Sequence, residues 1–368
     1  MKILITGHNG FIGKNAKHQL RDRYGHEIIT FGSEDKLDDL KNVINEIDII
    51  LHFAGLNKSE NENDFYKVNE NFTKKICQIC VDAGKKIPII FTSSIHVSNS
   101  NSYGLSKLAA EKVLIEHSNK NNSKIYIFRL PHVIGKWSKP NYNSVVSTFC
   151  YNIARNIPIN IFDEENEIEI VYIDDLIEKI DQIISNKGDE VFYTVEKSFK
   201  VKIKQLAKII KSFNERGSSK NKENLGSGLL KILYSTYLSY LPTNKFAYNI
   251  EAKLDKRGKF VEFLKSNSFG QISFLTINPG MIRGGHYHHT KIEKFLLVKG
   301  QVLFRFKNIE SNEFYEILVT DNDTMIVESI PGWSHDIVND KEEDAVIIIW
   351  ANEIYDPLKP DTILKPLD

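Results

Sequence analysis

The sequence predicts a two-part chain, a doubly wound α/β parallel sheet followed by an all-β domain, and three observations carry that expectation. At 368 residues the chain exceeds what one core fills, because single hydrophobic cores stop growing at roughly 250 residues. The first half alternates short apolar runs with longer amphipathic stretches, the rhythm of a parallel sheet covered by helices on both faces. Beyond about residue 244 that rhythm gives way to short strands separated by turns, as in a sandwich or small barrel. The expected domains are therefore 1–243 and 244–368.

Taken in order, "KILITG" reads as a strand, "FIGKNAKHQLRDR" as a helix, and "EIITF" and "DIILHFAG" as strands. "VNENFTKKICQICVDA" is a helix, "IPIIFTSS" a strand, "YGLSKLAAEKVLIEHS" a helix, and "KIYIFRLPHVIG" a strand followed by a loop. From about Tyr142 to Gln205 the pattern loosens, as in a substrate-binding cap. The polar stretch "NERGSSKNKENLGSG" (214–228) reads as a mobile loop or the approach to a boundary. After it, "GKFVEFL", "GQISFLTI", "EKFLLVKGQVLFRF", "EFYEILV", "TMIVES" and "AVIIIWAN" are the expected strands.

Charge excludes some partners. Lysine plus arginine and aspartate plus glutamate both number 48, so no global field draws in nucleic acid or an anionic membrane. The first strand starts at Lys2, leaving no room for a secretory signal. "LLKILYSTYLSYL" (229–241) is too short and too polar to span a bilayer. The expectation is a soluble cytoplasmic protein without nucleic-acid or membrane partners. Three cysteines cannot form a disulfide framework. Cys77 and Cys80 read as small core-facing residues one helical turn apart rather than as a redox or zinc pair.

Two front motifs carry chemistry. "TGHNGFIG" places Gly7, Gly10 and Gly13 as GxxGxxG between a strand and a helix. Glycines there let the backbone turn tightly, approach a pyrophosphate, and aim helix N-terminal amides at it. That predicts a Rossmann-like dinucleotide site. In "SYGLSKLAAE", Tyr103 and Lys107 stand four apart and so share one helix face. A nearby ammonium is expected to lower the phenol's pKa and to hold a ribose, making the tyrosine a proton donor or acceptor. Ser93 and Ser94 end the preceding strand, where a hydroxyl would bind the same substrate oxygen.

From Lys2 to about residue 212 the chain resembles the extended short-chain dehydrogenase/reductase family, with "DIILHFAG", "VNENF", "SS", "YGLSK", "RLPHVIG" and "VYIDDL" in the family's order. The resemblance implies Tyr103 as catalytic acid, Lys107 as its partner, and Ser94 (or Ser93) as substrate-oxygen binder. It extends the cofactor set to Gly7, Gly10, Phe11, Ile12, Gly13, Ala54, Gly55, Tyr103, Lys107 and Pro131. This sequence departs from the family in a short interval between Ser94 and Tyr103, and in His132 where asparagine is common. The second strand ends at Phe31, Gly32 and Ser33 with no carboxylate before Glu34. NAD-binding sites usually place an acidic residue there, so NADP(H) is the expected cofactor. Tyr142 and Asn143 are expected to touch substrate, from their position alone.

The back third holds a denser signal. In "GMIRGGHYHHTKIEKFLLVKG", His286 and His288 are two apart on a strand and point to one face, while His289 points away. Glu293 opens the next strand, and "SIPGWSHDIVN" adds His335. Three imidazoles and a carboxylate suit a divalent ion such as zinc, iron, manganese or nickel. The spacing from Gly280 to Gly300 resembles the first cupin motif, and the second stretch resembles the second cupin motif with one residue missing between Pro331 and Gly332. "LDKRGKFVEFL", with Arg257, resembles the start of cupin-type deoxysugar epimerases and implies that Arg257 touches substrate.

In its tandem order the whole chain resembles the bifunctional epimerase and reductase enzymes of capsular polysaccharide synthesis, on "GKWSKPNYNSVVSTFCYNIARN", "LYSTYLSYLP" and "HHTKIEKFLLV". The resemblance implies a zinc cupin that epimerises C3 of a UDP-2-acetamido-2,6-dideoxy-4-hexulose. It also implies NADPH-dependent reduction of C4 by the front half, giving the L-talose sugar, and a homodimer. The alternative is a ketoreductase carrying a structural, metal-stabilised cupin.

Overall fold

The computed structural model describes residues 1–186, 188–214, 225–249, 253–255, 258–260, 270–353 and 358–367. Arg257 and residues 215–224 of the expected polar stretch lie outside them. The chain runs β1 (Lys2–Thr6), α1 (Phe11–Asp22), β2 (Glu27–Phe31), α2 (Leu37–Val43), β3 (Ile49–His52), α3 (Glu62–Phe65), α4 (Phe72–Asp82), β4 (Ile89–Ser94), α5 (Ser102–Asn121) and β5 (Ile125–Leu130). It continues through β6 (His132–Ile134), α6 (Val145–Ala154), β7 (Glu167–Tyr172), α7 (Ile173–Asn186), β8 (Phe192–Tyr193), β9 (Ser198–Lys202), α8 (Ile203–Phe213) and α9 (Gly228–Leu238).

Strands β2, β1, β3, β4, β5 and β8 form a parallel six-stranded sheet in that spatial order. The chain passes from β1 to β2 on one side and then to β3 on the other, so the order reverses between β1 and β3. Open α/β sheets bind ligands at such a switch point, outside the carboxyl ends of the strands. Fully apolar strands produce this arrangement: Ile49, Ile50 and Leu51 are buried on both faces of the sheet. Leu4, Ile50, Ile89, Phe91 and Ile127 pack against Leu40, Ile76, Cys80, Ala110 and Leu114 of α2, α4 and α5. Ile3 and Ile5 alternate with Leu4 and face the other side, where α1 packs on β1 and β2. Cys77 and Cys80 belong to this core as the sequence predicts, and burial pushes their thiols up to about 12 and about 11. Such thiols are poor nucleophiles.

The later strands are β10 (Ala247–Asn249), β11 (Lys253–Asp255), β12 (Gly258–Phe260), β13 (Gln271–Ile277), β14 (Ile282–Tyr287), β15 (Glu293–Lys299), β16 (Gln301–Asn308), β17 (Phe314–Thr320), β18 (Met325–Glu328), β19 (Trp333–Val338), β20 (Ala345–Ala351) and β21 (Ile363–Leu364). Ten of them make two five-stranded antiparallel sheets, β10-β18-β15-β20-β13 and β17-β16-β19-β14-β21, and β11 pairs with β12, the cupin-like β architecture the motifs predict.

Contacts divide the chain into two compact units, Met1–Val145 with Glu167–Val201, and Val146–Asn166 with Lys202–Asp368. This division does not fall at 243 and 244, because α6, α8 and α9 group with the β-rich strands. Among the described residues no helix is long and apolar enough to cross a membrane.

Candidate active site and metal centre

In the α/β unit the glycine loop joins β1 to α1 at the switch point. Gly7 has φ of +69°, and a Cβ there would stand 2.5 Å from the Ala54 amide nitrogen. The loops after β1 and β3 therefore touch backbone to backbone, which only glycine permits. Gly10 is the N-cap of α1 and offers no side-chain acceptor, so the first-turn amides of Phe11, Ile12 and Gly13 stay available to an anion. Thr6 Oγ1 ties the two loops, 2.8 Å from His52 Nδ1 and accepting from the Ala54 amide at 3.3 Å. At the end of β2, Asp35 folds back so that its carboxylate accepts the Gly32 amide at 2.7 Å. Reading consecutive residues misses this acidic group, because it reaches the strand end through a turn.

Lys107, buried on α5, donates from Nζ to the Thr92 carbonyl at 2.9 Å. Burial lowers its pKa to about 8, with Glu111 acting in the opposite sense. The ammonium lies against Gly55, where a Cβ would come within 3.0 Å of Nζ. Tyr103, one turn earlier, lies close enough to Ser94 for that hydroxyl to act on the phenol, and the Ser94 hydroxyl accepts from the His96 amide at 3.1 Å. The structure thus brings Ser94, Tyr103, Lys107 and Gly55 together at the carboxyl ends of β3 and β4. It also distinguishes the two serines. Ser93 donates to Glu111 at 2.5 Å, and Glu111 is paired with Arg129 at 2.7 Å, so the Ser93 hydroxyl is already committed within the fold.

One expectation needs correction. Burial raises the Tyr103 phenol, the Ser94 hydrogen bond opposing it, whereas Lys107 was expected to lower it. The ammonium instead faces the Thr92 carbonyl.

Sequence reasoning missed Asn69. Its amide accepts the Leu56 N–H at 2.8 Å and donates to the Leu56 carbonyl and to Ser106 Oγ, each at 2.9 Å. It thereby fixes the Gly55 loop against α5 from a π-helical turn, Tyr66–Asn71. The "VNENF" stretch was the available signal, but side-chain periodicity does not show a widened turn. Tyr142 and Asn143 are placed near this loop, with Tyr142 Oη and Asn143 Nδ2 each 3.4 Å from the carbonyls of Lys58 and Asn57. Pro131 links β5 to β6.

In the β-rich unit, register assembles the metal group. His286 and His335 are partners across β14 and β19, with a register shift between Gly284 and His286. His288 follows on the same face, its ring 5.0 Å from that of His286. Glu293 Oε2 stands 3.3 Å from His288 Nε2 and 3.5 Å from His335 Nε2. Potential ligand atoms of all four residues lie within 4.8 Å of one another.

The fit to a cation can be tested on the donors themselves. His335 is 1% exposed, its Nδ1 has no hydrogen-bond partner, and its Nε2 faces only the Glu293 carboxylate at 3.5 Å, a costly state for a buried polar ring. Burial, then neighbouring His335 and His288, lowers the His286 pKa to about 3, favouring the neutral ring that binds metal. Burial works to raise the Glu293 carboxyl, but hydrogen bonds and charge from His288 and His335 hold it well below its usual range. A neutral His286 ring and an ionised Glu293 carboxylate, with His288 and His335 beside them, fit a divalent ion such as zinc. His289 and Tyr287 pack ring to ring, 5.3 Å apart, on the opposite face. Tyr287 is thus turned away from the four-residue group.

Residues 3–193 match the NAD dependent epimerase/dehydratase family, and residues 253–363 match the polysaccharide biosynthesis C-terminal domain. The chain is 44% identical to UDP-2-acetamido-2,6-beta-L-arabino-hexul-4-ose reductase of Pseudomonas aeruginosa, over 98% of each. Among solved structures, the capsular polysaccharide assembling protein CapF of Staphylococcus aureus is similar over 100% of both chains, with 37% identity and a TM-score of 0.67. A UDP-glucose 4-epimerase of Thermotoga maritima shares the fold over 58% of this chain and 82% of its own, with 20% identity and a TM-score of 0.53. The chain belongs to the NAD dependent epimerase/dehydratase family, in a two-part arrangement similar to that of CapF.

Proposed function

We propose that this protein is a bifunctional nucleotide-sugar enzyme acting on a UDP-2-acetamido-2,6-dideoxy-4-hexulose. Its β-rich part inverts C3, and its α/β part reduces the C4 ketone to give UDP-2-acetamido-2,6-dideoxy-L-talose, on the route to UDP-N-acetyl-L-fucosamine for a capsule or O-antigen. Full-length kinship with a relative named as a reductase of such a ketosugar supports the substrate. The observation that carries the reduction is the gathering of Ser94, Tyr103 and Lys107 beside the glycine loop at the switch point.

NADPH, when bound, supplies the hydride to C4. Gly7, Gly10, Phe11, Ile12, Gly13, Ala54, Gly55 and Pro131 would line its site, with Lys107 on the ribose. The absence of a carboxylate from Phe31, Gly32 and Ser33 at the end of β2 supports NADP(H) over NAD. Ser94 holds the C4 oxygen, and Tyr103 gives that oxygen its proton as the ketone becomes an alcohol. Tyr142 and Asn143, with Arg257, contact the sugar nucleotide.

The C4 ketone acidifies the C3 proton, so removal and return from the other face inverts the centre. His286, His288, Glu293 and His335 would hold a divalent ion, zinc before others. When bound, such an ion stabilises negative charge developing on the ketone oxygen. The border between an α/β domain, 1–243, and a cupin domain, 244–368, and dimerisation of a cytoplasmic enzyme complete the reading. The two family matches end and begin on either side of that border, at 193 and 253.

The four-ligand set favours a second reading. Four protein ligands complete a tetrahedral ion, which would make the centre structural and the protein a ketoreductase alone. Exchange decides between them. The Tyr103→Phe protein is incubated in D2O with the UDP-4-ketosugar and no nicotinamide, and C3 is followed by NMR. Deuterium at C3 is expected, and its absence from a folded, metal-loaded protein reduces the function to reduction.

A further inference from the structure

Two ends of one loop carry metal ligands, His288 where β14 stops and Glu293 where β15 starts. Between them, three successive backbone N–H groups converge on a single carboxylate. Asp361 accepts from the amides of His289 at 3.0 Å, Thr290 at 2.6 Å and Lys291 at 2.7 Å, and from Thr290 Oγ1 at 3.0 Å. Hydrogen bonds from backbone N–H to an ionised acceptor are about twice as strong as neutral ones. The loop is wound around a charge that comes from about seventy residues away.

The same residue sets a tautomer. His288 Nδ1 lies 2.5 Å from the Asp361 main-chain oxygen. A carbonyl only accepts, so in the neutral ring Nδ1 carries the hydrogen and Nε2 keeps its lone pair, facing Glu293 Oε2. Neighbouring residues of the segment reach the other ligands. Thr362 accepts from Lys291 Nζ at 2.9 Å, and that ammonium stands 3.4 Å from Glu293 Oε1. The Lys365 carbonyl accepts from Ser334, next to His335, and Leu364 pairs with His286 across β21 and β14.

We infer that Asp361 is a positioning residue of the metal centre, fixing the distance between His288 and Glu293 and the tautomer of His288. This rests on the metal reading given above. Asparagine at 361 keeps the size but turns an amide nitrogen towards N–H donors, so the loop opens.

The test uses the full chain, stripped of metal and titrated with zinc against a chromophoric chelator, and loaded separately with cobalt for its visible spectrum. Asp361→Asn is expected to weaken zinc about 10- to 100-fold, the usual cost of losing an outer-shell partner, and to alter the cobalt bands. Thr362→Val is expected to weaken zinc less, in the same direction. An Asp361→Asn protein that melts lower without metal yet keeps wild-type zinc affinity and cobalt bands overturns the inference. If Asp361→Asn does not fold, an unchanged affinity in Thr362→Val overturns it instead. An unmutated chain that binds neither ion defeats the metal reading itself, and the inference with it.

Discussion

The two sites are built on opposite principles. Around Tyr103, nearly every polar group already has a protein partner: Lys107 has the Thr92 carbonyl, Ser94 the His96 amide, and Asn69 the Leu56 backbone. Around His335 the Nδ1 of a buried imidazole has no hydrogen bond, and His286, His288 and Glu293 aim at the same small volume. The first site is organised by the fold, whereas the second gathers donors that a cation would complete. Removing that cation should therefore disturb the β-rich unit and leave the α/β unit as it was.

Single substitutions give the sharpest contrast. Tyr103→Phe should lower the rate of C4 reduction by about 10²- to 10⁴-fold, read as NADPH oxidation, without loss of bound metal. His335→Ala should do the reverse, losing metal by elemental analysis and with it deuterium exchange at C3. If both variants lose both activities, the sites do not act separately.

Chelation comes next in size. A ligand held at about a thousand times its Kd stabilises the folded state by about 4 kcal/mol. Stripping zinc should therefore lower one calorimetric transition and spare another, with recovery on re-addition. A shift of equal size in both transitions would erase the contrast.

The smallest effect concerns Lys107. Its pKa falls from 10.5 unfolded to about 8 folded, so between those values the unfolded chain binds more protons. Stability contributed by this site should rise with pH across that window, by at most about 1.4 kcal/mol per pH unit. It should be lost again as pH falls towards 8. Lys107→Met should remove that slope from urea unfolding measured at several pH values, and an unchanged slope would show that burial does not depress this lysine.

Much of both sites is legible in the sequence because the relevant spacings are local. Tyr103 and Lys107 meet through a helical turn, and His286 and His288 through strand alternation. What is not legible depends on distance or on irregular backbone. Asp361 reaches its loop across about seventy residues, which no local pattern announces. The choice of Ser94 over Ser93 rests on where Glu111 and Arg129 stand. The sign of the Tyr103 shift depends on how deeply the fold buries the phenol. The grouping of α6, α8 and α9 with the β strands depends on tertiary packing rather than on periodicity.

The π-helical turn at Tyr66–Asn71 makes the reductase site sensitive to chain length. A π turn contains one residue more than the α turn it interrupts. Deleting a residue there would relax the turn to ordinary helix and rotate the preceding part of the helix against the following part by about 100°. Asn69 could then not serve both Leu56 and Ser106 at once. Residues 66–71 should therefore tolerate changes of side chain more readily than any change in their number, with Asn69 itself the exception.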